Sequence, residues 1–215
     1  MKKDITAIVN AAKCTSFLLI EEQKPGEKSS RRYYGTAFFI SPRLLVTAGH
    51  NVIGVHGPIS QLCITHPGVE MIDLRQVALR TVPTINCKVV GSLYKKEGPF
   101  SKDIAILDAG SFNASHYLPL SKAIAPQNAV IDIVGYPAQI KDEWLEAHDG
   151  IDVQRAQDEA KCLLPKGRLL VTRGNASATS GTAIPYHITT CPGFGGSCVL
   201  YNGAVIGKFR LGNDD

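Results

Sequence analysis

His50 ends the run GTAFFISPRLLVTAGHNV, Gly35 to Val52, in which an apolar strand, a Ser-Pro-Arg turn and a second apolar strand lead into Thr-Ala-Gly-His. A buried strand ending at an imidazole holds the ring rigidly, as proton-transfer chemistry requires. Fifty-three residues on, Asp103 opens the wholly apolar strand Ile104 to Leu107. A carboxylate there can accept the Nδ1 proton of a histidine, fix its tautomer and stabilise an imidazolium. Later still, the turn Pro192-Gly193-Phe194-Gly195-Gly196-Ser197-Cys198-Val199 enters a hairpin through Tyr201-Asn202-Gly203. Such a glycine-rich turn can aim backbone N–H groups into one concavity, the requirement of an oxyanion hole.

In this order the motifs resemble those of trypsin-like serine peptidases of the chymotrypsin superfamily, in the style of the glutamyl-endopeptidase and HtrA-like branches. The resemblance runs from about Cys14 to Gly212 and rests on Gly35-Thr36-Ala37-Phe38, Thr47-Ala48-Gly49-His50, Asp103-Ile104-Ala105-Ile106, Gly135-Tyr136-Pro137 and the Pro192 to Val199 turn. It implies an all-β, chymotrypsin-like double β-barrel with His50 and Asp103 as catalytic residues, and an oxyanion hole at Gly193 and Gly195. It also implies that the strand through Lys208, Phe209 and Arg210 lines the substrate pocket, where Lys208 or Arg210 would favour an acidic side chain.

The departures from the pattern bear on activity. Gly195 occupies the nucleophile position and offers no side chain to attack a carbonyl. Phe194 stands where zymogens of the trypsin type keep an aspartate for a newly cut N-terminus, and Asn51 follows the histidine where cysteine is usual. Ser197 is the alternative nucleophile if the turn is shifted by two residues. Two readings follow: a pseudoprotease that retains a peptide-binding cleft, or a serine endopeptidase whose serine was replaced for study or which uses Ser197. Cys191 and Cys198 lie in the same turn but off the nucleophile position.

These residues need a barrel scaffold. Short β-forming runs separated by turn residues recur at Thr15–Ile20, Gly35–Ile40, Leu44–Ala48, Gln61–Ile64, Lys88–Leu93, Ile104–Asp108, Ala129–Val134, Leu169–Thr172, Tyr186–Thr189, Cys198–Tyr201 and Ala204–Phe209. This spacing predicts a barrel or sandwich. Residues 14–112 and 128–212 divide into two halves, each suited to six strands, joined by a Pro-containing linker at 113–127. A weak helical period precedes Cys14; otherwise helical signal is confined to the polar stretch Lys141 to Lys161, a short insertion where Trp144, Leu145 and His148 share a face.

At 215 residues, 44% hydrophobic and 20% charged, with 20 Gly and 12 Pro, the chain reads as one turn-rich globular domain, which the resemblance implies is a single trypsin-like peptidase domain. No apolar run reaches membrane-spanning length. The net charge of +4 is scattered, without the stripe or aromatic interleaving of a nucleic-acid surface. The expected partner is therefore a peptide or protein, not nucleic acid or membrane. Cys14, Cys63, Cys87, Cys162, Cys191 and Cys198 form no CxxC pair, and the histidines show no ligand spacing, so no metal or cofactor is expected. Asp4 and Asn10 interrupt any signal-like apolar core, so a cytoplasmic setting with reduced thiols is expected. The ending at Asp215 suggests a domain of a longer, multidomain protein.

Overall fold

The computed structural model describes residues 2–23, 26, 29–54, 58–78, 80–94, 102–137, 152, 154–155, 158, 167–177, 186–187 and 193–208. Helix α1, Lys2–Cys14, comes first. Its Ala11 and Cys14 face the core while Ile5 and Val9 are exposed. The Thr15 hydroxyl donates to the Ala11 carbonyl at 2.7 Å and helps end the helix. The weak period before Cys14 is thus a full helix, because burial of one side against the sheets supplies what propensity lacks. In the stretch expected to be helical, Gln154, Arg155 and Asp158 have helical backbone and Asp152 accepts from the Arg155 N–H at 3.1 Å. Trp144, Leu145 and His148 lie outside the described residues.

Seven strands form the first sheet: β1 Thr15–Gln23, β2 Ser30–Phe39, β3 Leu44–Thr47, β4 Ile59–Thr65, β5 Thr84–Asn86, β6 Lys88–Tyr94 and β7 Asp103–Asp108. Their order is β5-β4-β1-β2-β3-β7-β6, antiparallel throughout. The two outermost strands, β5 and β6, are separated in the chain by Cys87 alone. They are one bent strand whose halves pair with opposite ends of the sheet, so the sheet curls onto itself as a six-stranded barrel. The Cys87 N–H donates to the Leu62 carbonyl at 2.9 Å and carries the β4 pairing through the bend. Leu18, Ile20, Phe39, Leu45, Leu62, Ile64 and Leu107 fill the interior. Strand β5 and a five-residue helix, α2 at Leu74–Ala78, were not legible in the sequence; each is too short to show a period.

The second sheet has the order β10-β9-β8-β11-β12. It comprises β8 Val130–Gly135, β9 Leu170–Ala176, β10 Tyr186–His187, β11 Cys198–Tyr201 and β12 Ala204–Lys208. The β11–β12 hairpin turns on Asn202 and Gly203, both at positive φ (49° and 79°), the requirement of the tight hairpin turn whose twist matches its strands. Ile131, Ile133, Phe194 and Val199 pack together inside it.

A third apolar cluster joins the halves: Ala11 and Cys14 of α1 and Phe38 and Val46 of the first sheet meet Val134, Cys198, Leu200 and Val205 of the second. The segment 113–127 has no helix or strand and is tied to both sides. Leu118 N–H donates to the Phe39 carbonyl at 2.9 Å and Ser121 N–H to the Val205 carbonyl at 2.7 Å. Among the described residues no helix is long and apolar enough to cross a membrane.

Candidate active site at the barrel junction

Strand β3 delivers His50 through a single 3-10 turn, Gly49–Val52. Gly49 is buried there, and a Cβ on it would press the Ile104 nitrogen and the Leu93 carbonyl at 3.0 Å each, so the turn seats directly on β6 and β7. Asp103, the first residue of β7, is buried and accepts from the His50 backbone N–H at 2.7 Å. The imidazole Nδ1 lies 3.0 Å from Asp103 Oδ2 and 3.2 Å from Oδ1. Burial alone would raise the Asp103 pKa. Hydrogen bonds from His50 and Lys208, with the positive charge they bring, overcome it and hold the carboxyl well below the usual carboxylate range. An ionised carboxylate only accepts, so Nδ1 carries the proton and, in the neutral ring, Nε2 presents its lone pair.

That lone pair faces Gly195. A Cβ built on Gly195 falls 3.0 Å from His50 Nε2 and 3.1 Å from Cε1, with no other atom of the described residues, its chain neighbours aside, within 4 Å. Residue 195 therefore faces the imidazole Nε2 and, as glycine, presents no side chain to it.

The turn carrying Gly195 is hung from the first barrel. Its carbonyl accepts from the Thr36 N–H at 3.0 Å and from the Asn51 amide at 3.2 Å. Thr36 Oγ1 donates to the Gly193 carbonyl at 2.9 Å and accepts from the Tyr136 N–H at 3.0 Å. Gly193 and Gly196 sit at φ 97° and 93°. At Gly196 a Cβ would fall 2.1 Å from the Thr36 carbonyl oxygen, a closeness only glycine permits. Among the described residues, the N–H groups of Gly193 and Gly195 meet no acceptor.

Two sequence expectations change here. Ser197, the alternative nucleophile, is fully buried with its N–H donating to the Phe194 carbonyl at 2.8 Å. Its hydroxyl has no partner and lies against Gly135, where a Cβ would be 1.8 Å from Oγ. The glycine of Gly135-Tyr136-Pro137 thus makes room for Ser197, which cannot reach a substrate from there. Lys208, expected to line a substrate pocket, instead places its ammonium 2.7 Å from Asp103 Oδ2, with side-chain exposures of 11% and 2%. Cys198 is no nucleophile either, since complete burial pushes its thiol up to about 12.

Cys14, Cys63 and Cys87 are likewise buried free thiols. Phe209, Arg210, Cys162 and Cys191 lie outside the described residues. Among the described residues no three His, Cys, Asp or Glu side chains are placed to hold a metal ion.

Solved structures supply the comparison. The Rv3671c protease from M. tuberculosis in its active form superposes with a TM-score of 0.58 at 17% identity, over 97% of this chain and 75% of that one. Its inactive form gives 0.55 at 18% identity, over 100% and 84%. The fold is that of the chymotrypsin-like proteases. No protein-family model and no curated protein matches the sequence.

Within this protease fold, the sequence carried no sign of where Lys208 ends or what Asn51 holds. The only hint was at Asn51, which stands where cysteine is usual. Phe194 is the exception that could be read: an aromatic where the zymogen aspartate would stand must be buried, and it is completely so, against Ile131, Ile133 and Val199.

Proposed function

We propose that this domain binds extended peptides in a protease-type cleft without turning them over. The observation that carries this reading is the missing side chain at Gly195: the base and its orienting carboxylate are assembled, and the backbone that faces Nε2, where a Cβ would stand 3.0 Å away, carries no nucleophile. Binding needs less than cleavage does. Strand β12 pairs with β11 alone among the described strands, and although the Val205 carbonyl on its other edge is taken by the Ser121 N–H, the edge from there towards Lys208 can add a peptide strand through backbone hydrogen bonds, which no change at residue 195 removes. The Gly193 and Gly195 N–H groups would receive a carbonyl or carboxylate oxygen of that segment.

The burial of Ser197 disfavours the reading in which a shifted turn makes the chain an active endopeptidase. The test pairs a fluorophosphonate probe with a diverse peptide library. The expected result is no covalent labelling and no cleavage, with saturable binding of uncleaved peptides. Stoichiometric labelling of any serine, or turnover, overturns it.

A further inference from the structure

Lys208 ends β12 of the second barrel, and Asp103 opens β7 of the first. Their contact at 2.7 Å is therefore a bond between barrels as well as a contact inside the site. An ammonium this well buried needs a counter-charge, because transfer of an unpaired cation out of water is costly. The carboxylate that supplies it is the one that orients His50.

Among the described residues, one negative charge is thus shared by two cationic claimants. Nζ is 2.7 Å and Nδ1 3.0 Å from the same Oδ2, so Nζ is no farther from Nδ1 than those two distances added. By Coulomb's law a cation at that range cancels at least about half of the attraction that the carboxylate offers an imidazolium. Among the described residues, the titratable groups brought to the ring are Asp103 from β7 and Lys208 from β12; β6 contributes Tyr94, whose Cα pairs with that of Asp103. Asn51, beside the histidine, is neutral.

We propose that Lys208 is a built-in counter-ion for Asp103, a positioning residue that clasps the two barrels and opposes protonation of His50. Asp103 then orients the ring but gives only part of the charge stabilisation that general-base catalysis needs. The site has departed from protease function twice, once at the nucleophile and once at the carboxylate. This inference stands on the Asp103 contacts and holds whether or not the cleft takes peptides.

The test follows the His50 Cε1–H resonance by NMR as a function of pH in the Gly195 protein. In K208M, the pH midpoint of that resonance is expected to rise by about one unit, a tenfold gain in proton affinity. In K208R, which keeps the charge, it is expected to stay within a few tenths of a unit. If K208M does not fold, K208Q is read in its place, since its amide can still donate to Asp103 without the charge; the same rise is expected. A folded neutral variant whose midpoint does not move overturns the proposal.

Discussion

The side-chain amide of Asn51 donates to the carbonyl of Gly195 at 3.2 Å, so the residue after the base holds the residue at the nucleophile position across the barrel junction. Asn51 also donates to Thr47 Oγ1 at 3.0 Å. Room for the amide comes from Gly35, where a Cβ would be 2.7 Å from Nδ2. Asn51→Ala is expected to cost about 1 kcal/mol, since Gly195 retains its bond from the Thr36 N–H. Gly35→Ala pushes the same amide aside, so the double variant should lose less than the two single losses added. Urea denaturation of the parent, the two single variants and the double variant measures this coupling; full additivity would show that the two positions act separately.

The same pair shows how far local sequence carries. His50 and Asp103 were legible because each follows or opens an apolar strand, and strand register then brought them together. Most of the predicted strands contain residues of the observed core or hairpins because period-two patterning reports burial directly. Asn51 and Lys208 were different. Lys208 reads as a residue of the substrate pocket until the β11–β12 hairpin turns it towards Asp103 of the other barrel, and only tertiary packing says so. The bend at Cys87 that closes the first barrel is equally invisible, since β5 is three residues long.

Asp103 predicts a pH dependence with a definite sign. Its native carboxyl titrates below the ordinary value of about 3.9 for an unfolded aspartate. The stabilisation is therefore complete above that ordinary value and is lost as pH falls from there through the lower native value. Glu21 is also shifted down: burial opposes, but the Ser30 hydroxyl and the charges of Arg80 and Arg32 prevail, so the whole acid limb is not due to one group. The informative measurement is the difference. Unfolding free energy of Asp103→Asn should fall less between about pH 5 and pH 3 than that of the parent, and parallel curves would refute the assignment.

Phe194 fills the second barrel at a position where a charged residue would require an ion pair. Truncation to alanine leaves a cavity among Ile131, Ile133 and Val199 and is expected to cost about 3–5 kcal/mol. Phe194→Leu should recover most of that loss. Denaturant midpoints decide, and a loss below about 1 kcal/mol for Phe194→Ala would mean that the turn is not packed as described.

Gly195→Ser tests the scaffold itself. The new Cβ would stand 3.0 Å from Nε2, tighter than an ordinary contact, so the ring must move by a few tenths of an ångström to accept it. The carbonyl clamps from Thr36 and Asn51 do not involve the side chain and should hold the turn in place. The variant is expected to fold and to react slowly with a fluorophosphonate probe at the introduced hydroxyl, where the parent does not react. The rate is limited by the charge beside Asp103: when the serine attacks, His50 must become an imidazolium near the Lys208 ammonium, which is bonded to the same carboxylate. Adding Lys208→Met to Gly195→Ser should therefore raise the labelling rate several-fold, with about tenfold as the ceiling for one unit in the basicity of His50. If Gly195→Ser folds with the His50–Asp103 bond intact and neither variant is labelled, the N–H groups of residues 193 and 195 are not arranged as an oxyanion hole. The catalytic geometry would then end at the base.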